Sequence, residues 1–170
     1  MKFKPELMKF VEKPEGEFID KKIELSTQPV DVIMATLDAE NFLEKCLFSA
    51  YREIPIKKLI ICDGGSKDGT INILKKFPRV EIFIKPEIHT GGKLVEFLIS
   101  KVETEWFVFI DSDIILAEGW FNEMKKFQND FDVVENSKTV LAYHFYREFN
   151  DKLDSNSRSS HFCHLAKKNA

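Results

Sequence analysis

The sequence predicts a three-layer α/β/α domain with a mostly parallel central sheet. Two observations lead there. Short apolar runs alternate with amphipathic stretches from residue 30 to about residue 127. The runs are nearly continuous in apolar residues, as expected of strands covered on both faces, and alternating strands and helices favour a parallel sheet.

The elements follow in order. VDVIMAT, residues 30–36, reads as the first buried strand. Residues 39–51 read as a helix, because Leu43, Cys46, Leu47 and Ala50 recur at i, i+3, i+4 and i+7. KKLIIC is the second strand, and Asp68-Gly-Thr opens a second helix with Ile71, Leu74 and Phe77 on its apolar side. VEIFIK, ended by Pro86, is the third strand. Gly91-Gly92 precedes a third helix striped by Leu94, Phe97 and Leu98, and WFVFI is the fourth strand. Beyond Leu116, residues 118–127 look helical, FDVVEN and KTVLAYHFY are strand candidates, and the tail from Asn150 reads as a polar loop before a short end segment. Residues 1–28 are an extension of uncertain structure, 29–127 the α/β core, and 128–170 a short part completing the domain.

Composition excludes several classes. The chain has 170 residues, enough for one real core. Its net charge of −3 gives no global attraction to nucleic acid. No apolar run approaches the roughly 20 residues of a membrane-spanning helix, and the N-terminal stretch alternates charge too often for a signal peptide. Short basic stretches such as MKFK and LAKKNA leave peripheral membrane contact open. The three cysteines, Cys46, Cys62 and Cys163, have no zinc-like spacing. Their odd number argues for free thiols in a reducing, cytoplasmic setting.

Right-handed crossovers place the strand C-termini along one edge, where open α/β sheets bind ligands. Thr36-Leu37-Asp38, Asp63-Gly64-Gly65 and Asp111-Ser112-Asp113 are therefore expected on one rim. In the third group, two carboxylates at a strand end can reach one ion. Hard oxygens suit Mg²⁺ or Mn²⁺, which bridge to phosphate. The plainer reading has one aspartate capping a helix and the other in solvent. Two acidic groups beside the buried FVFI run are costly without compensation, which favours the ion. Asp63 can accept from a base or ribose, while Gly64 and Gly65 permit close approach. Ser66 or Asp68 can cap the next helix.

ATLDAENFLEKCLFSA, LIICDGGSKDGT, GGK and FVFIDSDIIL, in that order, make residues 30–126 resemble the GT-A glycosyltransferases, family 2 in particular. The resemblance implies a nucleotide-diphosphate sugar donor, a UDP- or GDP-sugar, and a divalent metal, Mn²⁺ or Mg²⁺. It places Thr36, Leu37, Asp38 and Glu40 at the nucleoside pocket and Asp63 and Gly64 at the base. Lys93 approaches the nucleotide, Asp111 and Ser112 meet the ribose or metal, and Asp113 ligates the metal. Lys93 reads equally well as an exposed lysine at a helix start. Leu37 stands where the family often has an aromatic residue, and Gly64 replaces its usual second aspartate.

An inverting transfer needs a carboxylate to deprotonate the acceptor hydroxyl. Among Glu135, Glu148, Asp151 and Asp154, Glu148 is the candidate base; its competing reading is a surface glutamate paired with Arg147 or Lys152. A retaining mechanism would not need such a base. The resemblance also implies a C-terminal histidine as third metal ligand, His161 or His164 in SSHFCH, against the plainer reading of a surface histidine. Other enzymes fit less well. The first turn has no G-x-G-x-x-G, excluding a dinucleotide-binding protein. A haloacid-dehalogenase-like phosphatase carries its DxD on the first strand rather than the fourth. A nucleotidyltransferase would show a glycine-rich basic loop after its first strand. The expected activity is metal-dependent transfer of a sugar to an unidentified hydroxyl acceptor. The alternative is a non-catalytic nucleotide-sugar-binding or protein-interaction module of the same fold.

Overall fold

The computed structural model describes residues 28–88, 91–135, 142–144 and 163–169. The first unit is strand β1 (Val30–Thr36), helix α1 (Leu43–Glu53), strand β2 (Ile56–Asp63), helix α2 (Thr70–Leu74) and strand β3 (Val80–Ile84). Helix α3 (Gly91–Lys101) and strand β4 (Trp106–Ile110) follow. Then come β5 (Ile114–Leu116), helix α4 (Trp120–Lys125), β6 (Val133–Glu135), β7 (Ala142–His144) and β8 (Cys163–Lys167).

Six strands form the main sheet in the order β3-β2-β1-β4-β8-β6, and β5 pairs with β7 in a second, two-stranded sheet. Strands β1 to β4 are mutually parallel, whereas β8 runs antiparallel to both β4 and β6. The register sets Thr36 beside Asp63, Asp63 beside Ile84, and Ile33 beside Phe109. The C-termini of β1, β2, β3 and β4 consequently share one rim.

Alternation along the strands divides the core. Val32, Met34, Leu59, Ile61, Val108 and Ile110 face one side, where Leu43, Leu47 and Tyr51 of α1 and Leu74 of α2 cover them. Ile33, Ile60, Cys62 and Phe107 face the other side, against Leu98 of α3. This is the expected three-layer arrangement. Burying each such aliphatic side chain stabilises the fold by about 1.5–3 kcal/mol, so the sheet and its helices hold the rim in place.

The structure adds three local details. Helix α2 is short, ending at Leu74, although Phe77 is still buried beyond it in a turn. The IIL of the DSDIIL stretch is a strand of its own, turned away from β4 and paired with β7. Cys163–Lys167 inserts as β8 between β4 and β6, with Cys163 and Leu165 buried. CHLAK is too short and too mixed to announce a central strand; only its apolar alternation at Cys163 and Leu165 hinted at one.

A candidate nucleotide-sugar rim

The first and second turns are laced together by reciprocal hydrogen bonds. The amide of Gly64 donates to the Thr36 carbonyl at 2.9 Å. Asp38 accepts from the Lys67 amide at 2.8 Å and donates its own amide to Ser66 Oγ at 2.9 Å. Glu40 accepts from the Gly69 amide at 2.5 Å and donates its amide to Asp68 Oδ2 at 3.0 Å. The Ala39 amide donates to Thr70 Oγ1 at 2.8 Å. Asp68 also accepts from the Thr70 amide at 3.0 Å, so it tethers the start of α2 as well as the opposite turn. The two turns act as one rigid edge.

Asp63 is fully buried, unlike a residue open to a ligand. Its Oδ1 accepts from the amides of Gly65 and Ser66 at 2.9 and 2.8 Å. Its Oδ2 accepts from Thr36 Oγ1 at 2.9 Å and Ser66 Oγ at 2.5 Å. Four donors fill the lone pairs of a carboxylate. These bonds make the Asp63 side chain a brace for the second turn. Asp63 shapes the turn, and Thr36, itself buried, supports Asp63. Sequence reasoning could not see this, because Thr36 and Ser66 meet Asp63 only once β1 and β2 pair.

The residues that do face outward at this rim are Leu37, Asp38 and Glu40. Leu37 is 62 % exposed, and its Cδ1 lies 3.4 Å from where a Cβ on Gly64 would stand. It thus stands beside Gly64 as an exposed apolar surface. Asp38 takes a positive φ of 45°, a conformation tolerated by aspartate in tight turns.

Asp111, Ser112 and Asp113 occupy the turn between β4 and β5, all half-buried. Burial, reinforced by the like charge of Asp113, pushes the Asp111 carboxyl up to about 7. Two crowded carboxyls that resist ionising together suit a divalent cation, whose charge would offset that repulsion. All the donors are hard oxygens, the chemistry that Mg²⁺ and Mn²⁺ prefer. Among the described residues no group of three or more histidine, cysteine or acidic side chains is arranged to hold a metal ion. A cation held by this pair would need further ligands from outside these residues. Strands β2 and β4 flank β1, so Asp63 and Asp111 stand on the order of 10 Å apart across the rim, two strand spacings.

Lys93 is exposed on the first turn of α3. His164 stacks on Phe109, ring centroids 5.7 Å apart and planes at 19°. Its strand position is opposite Phe109, one residue into the sheet from the Ile110–Cys163 pair. His161, Glu148, Asp151 and Asp154 lie outside the described residues.

A match to glycosyl transferase family 2 spans residues 31–164, most of the chain. The chain belongs to glycosyl transferase family 2. The laced turns, the Asp111–Asp113 turn and, but for Val30, the parallel strands lie within the matched span. An uncharacterized glycosyltransferase of Haemophilus influenzae is 28% identical to this family 2 chain over 106 residues, 58% of the chain and 41% of that relative. Among solved structures, S. aureus TarS 1-349 in complex with UDP-GlcNAc superposes with a TM-score of 0.54 at 21% identity. That likeness covers 66% of this chain and 37% of TarS 1-349. Glucosyl-3-phosphoglycerate synthase from Mycobacterium tuberculosis, in complex with Mn²⁺, UDP and glucosyl-3-phosphoglycerate, gives a TM-score of 0.54 at 19% identity. There the likeness covers 65% of this chain and 44% of the synthase. The chain thus spans less than half the length of these relatives. No helix among the described residues is long and apolar enough to cross a membrane.

Proposed function

We propose that this family 2 chain transfers a sugar from a nucleotide-diphosphate donor to a hydroxyl acceptor, with a divalent cation held by Asp111 and Asp113. The observation that carries the reading is the convergence on one rim of the laced first and second turns with the Asp111–Asp113 turn. The UDP-GlcNAc bound to TarS 1-349, and the Mn²⁺ and UDP bound to the mycobacterial synthase, support a UDP-sugar donor over a GDP-sugar.

The roles follow from exposure and chemistry. Leu37 gives the base an apolar surface, and the Gly64 backbone lets the base approach closely. Asp38 and Glu40 border the nucleoside while bracing the opposite turn. Asp63 and Thr36 hold that turn from beneath. Asp111 and Ser112 meet the ribose or the cation, and Asp113 ligates the cation. Lys93, at the start of α3, meets the negative diphosphate. When bound, the cation supplies Lewis-acid stabilisation of the departing diphosphate. Glu148 is the candidate for taking the proton from the acceptor hydroxyl.

Calorimetry with UDP, GDP and their sugars, with and without Mn²⁺, tests the donor. UDP is expected to bind tightly with Mn²⁺, and Asp113→Ala should lose the Mn²⁺-dependent part while the chain stays folded. Unchanged Mn²⁺-dependent affinity in that variant would refute the assignment. Release of sugar from the donor separates an enzyme from a module that only binds.

A further inference from the structure

Helix α1 is amphipathic, but its buried side is not wholly apolar. Cys46, Ser49 and Glu53 are all buried. With Arg52 they stand at i, i+3, i+6 and i+7, which puts them along one side of the helix. A helix that only had to cover a sheet would carry aliphatic residues there, because a buried polar group without a partner costs about 1–3 kcal/mol.

All four side chains reach the segment that runs from Asp111 to Gly119. The Cys46 thiol donates to the Asp111 carbonyl at 3.4 Å, and the Ile114 amide donates to the same carbonyl at 3.3 Å. Ser49 Oγ accepts from the Leu116 amide at 3.0 Å while donating to the Cys46 carbonyl at 2.8 Å. Arg52 donates to the Leu116 carbonyl at 2.9 Å. Glu53 accepts from the Gly119 amide at 2.7 Å and is itself held by Arg52 at 2.7 Å. Both backbone polar groups of Leu116 are therefore taken by α1. Short strand β5 pairs with β7 by its backbone and is tied to α1 by side chains.

The geometry points to α1 as the positioning element for the metal turn: Cys46 and Ser49 set where Asp111 and Asp113 stand. The Asp111 carbonyl that Cys46 holds also accepts from the Ile114 amide, and that bond closes the turn through Asp111, Ser112 and Asp113. Holding the carbonyl that closes a three-residue turn restrains the separation of its two carboxylates. Groups behind metal ligands commonly govern affinity in this way. The inference rests on the proposed cation site and adds residues that have no contact with a ligand themselves.

The test uses the full chain, its Cys46→Ala, Cys46→Ser and Ser49→Ala variants, UDP and Mn²⁺. Mn²⁺ half-saturation is read with UDP present, UDP affinity is read in EDTA, and amide hydrogen exchange is followed across residues 111–119. Cys46→Ala is expected to raise the Mn²⁺ half-saturation about tenfold, within the range seen when such supporting groups are lost. It should leave UDP affinity in EDTA unchanged and speed exchange at Ile114. Cys46→Ser, which keeps a donor and an acceptor, should recover part of both losses. Ser49→Ala should speed exchange at Leu116 and raise the Mn²⁺ half-saturation less. Parent-like Mn²⁺ half-saturation in Cys46→Ala, or equal losses in the alanine and serine variants, overturns the positioning role and leaves the cation site standing. A parent chain with no Mn²⁺-dependent UDP binding overturns the cation site, and the positioning role with it.

Discussion

Thr36 and Asp63 end neighbouring parallel strands at the same level, and the Thr36 hydroxyl donates to the buried Asp63 carboxylate at 2.9 Å. That bond joins the two turns from below. Above it, Asp38 and Glu40 reach across to the Lys67 and Gly69 amides. The rim is thus built from the inside outward, with a buried carboxylate organising the backbone on which exposed residues stand.

Asp63→Asn should damage this organisation without leaving a void. Asparagine keeps the size but presents an NH₂ group to donors it cannot accept from. Hydrogen bonds to a charged group contribute about 1.5–3 kcal/mol each, so the loss should be of that order and appear as a lowered Tm. UDP affinity should fall with and without Mn²⁺. Thr36→Val removes a single donor and should cost about 1 kcal/mol. A parent-like Tm and UDP affinity for Asp63→Asn would show that the turn holds without its carboxylate.

Two glycines of the second turn are required for different reasons. Gly65 has a φ of +93°, and a Cβ there would lie 3.1 Å from Pro86 Cβ. Gly69 has an ordinary φ of −74°, but an added Cβ would approach Glu40 Oε2 to 2.7 Å. Gly65→Ala should cost about 1–3 kcal/mol through backbone strain. Gly69→Ala should instead displace Glu40, and Gly69→Ala combined with Glu40→Ala should recover part of the loss. Denaturant unfolding of the four proteins checks this; strict additivity would mean that the two residues do not interact.

Asp111 makes stability depend on pH in a definite direction. Its carboxyl lies at about 7 in the folded chain against 3.8 for the ordinary group. The folded state therefore holds a proton that the unfolded state has already released between those values. Stability should fall as pH rises through that window and stay low above it. In EDTA, Asp111→Asn should flatten the decline and raise the Tm at pH 8 relative to the parent. Thermal unfolding from pH 5 to pH 8 decides the matter; a parent curve whose stability rises across the window, with Asp111→Asn unchanged, contradicts it.

Much of the rim was legible from the chain itself. Apolar runs such as VDVIMAT and WFVFI need two covered faces, and glycine and aspartate punctuation marked where those runs stop. Parallel pairing then leaves little choice about which ends come together. The hydrogen bonds that Asp63 accepts were not legible. Whether a strand-end carboxylate looks outward or accepts bonds from beneath depends on partners 27 residues away, as Thr36 is.

By itself the sequence determined the alternation of strands and helices, the shared edge of their turns and the two carboxylates after the fourth strand. Local pattern suffices for these because strand burial and turn chemistry are set by neighbouring residues. Only the tertiary structure decided that β8 lies between β4 and β6, that Asp63 organises rather than faces outward, and that the polar side of α1 serves residues 111–119. Each depends on contacts between segments far apart in the chain. A buried polar group declares its purpose only when the backbone that satisfies it has been brought alongside.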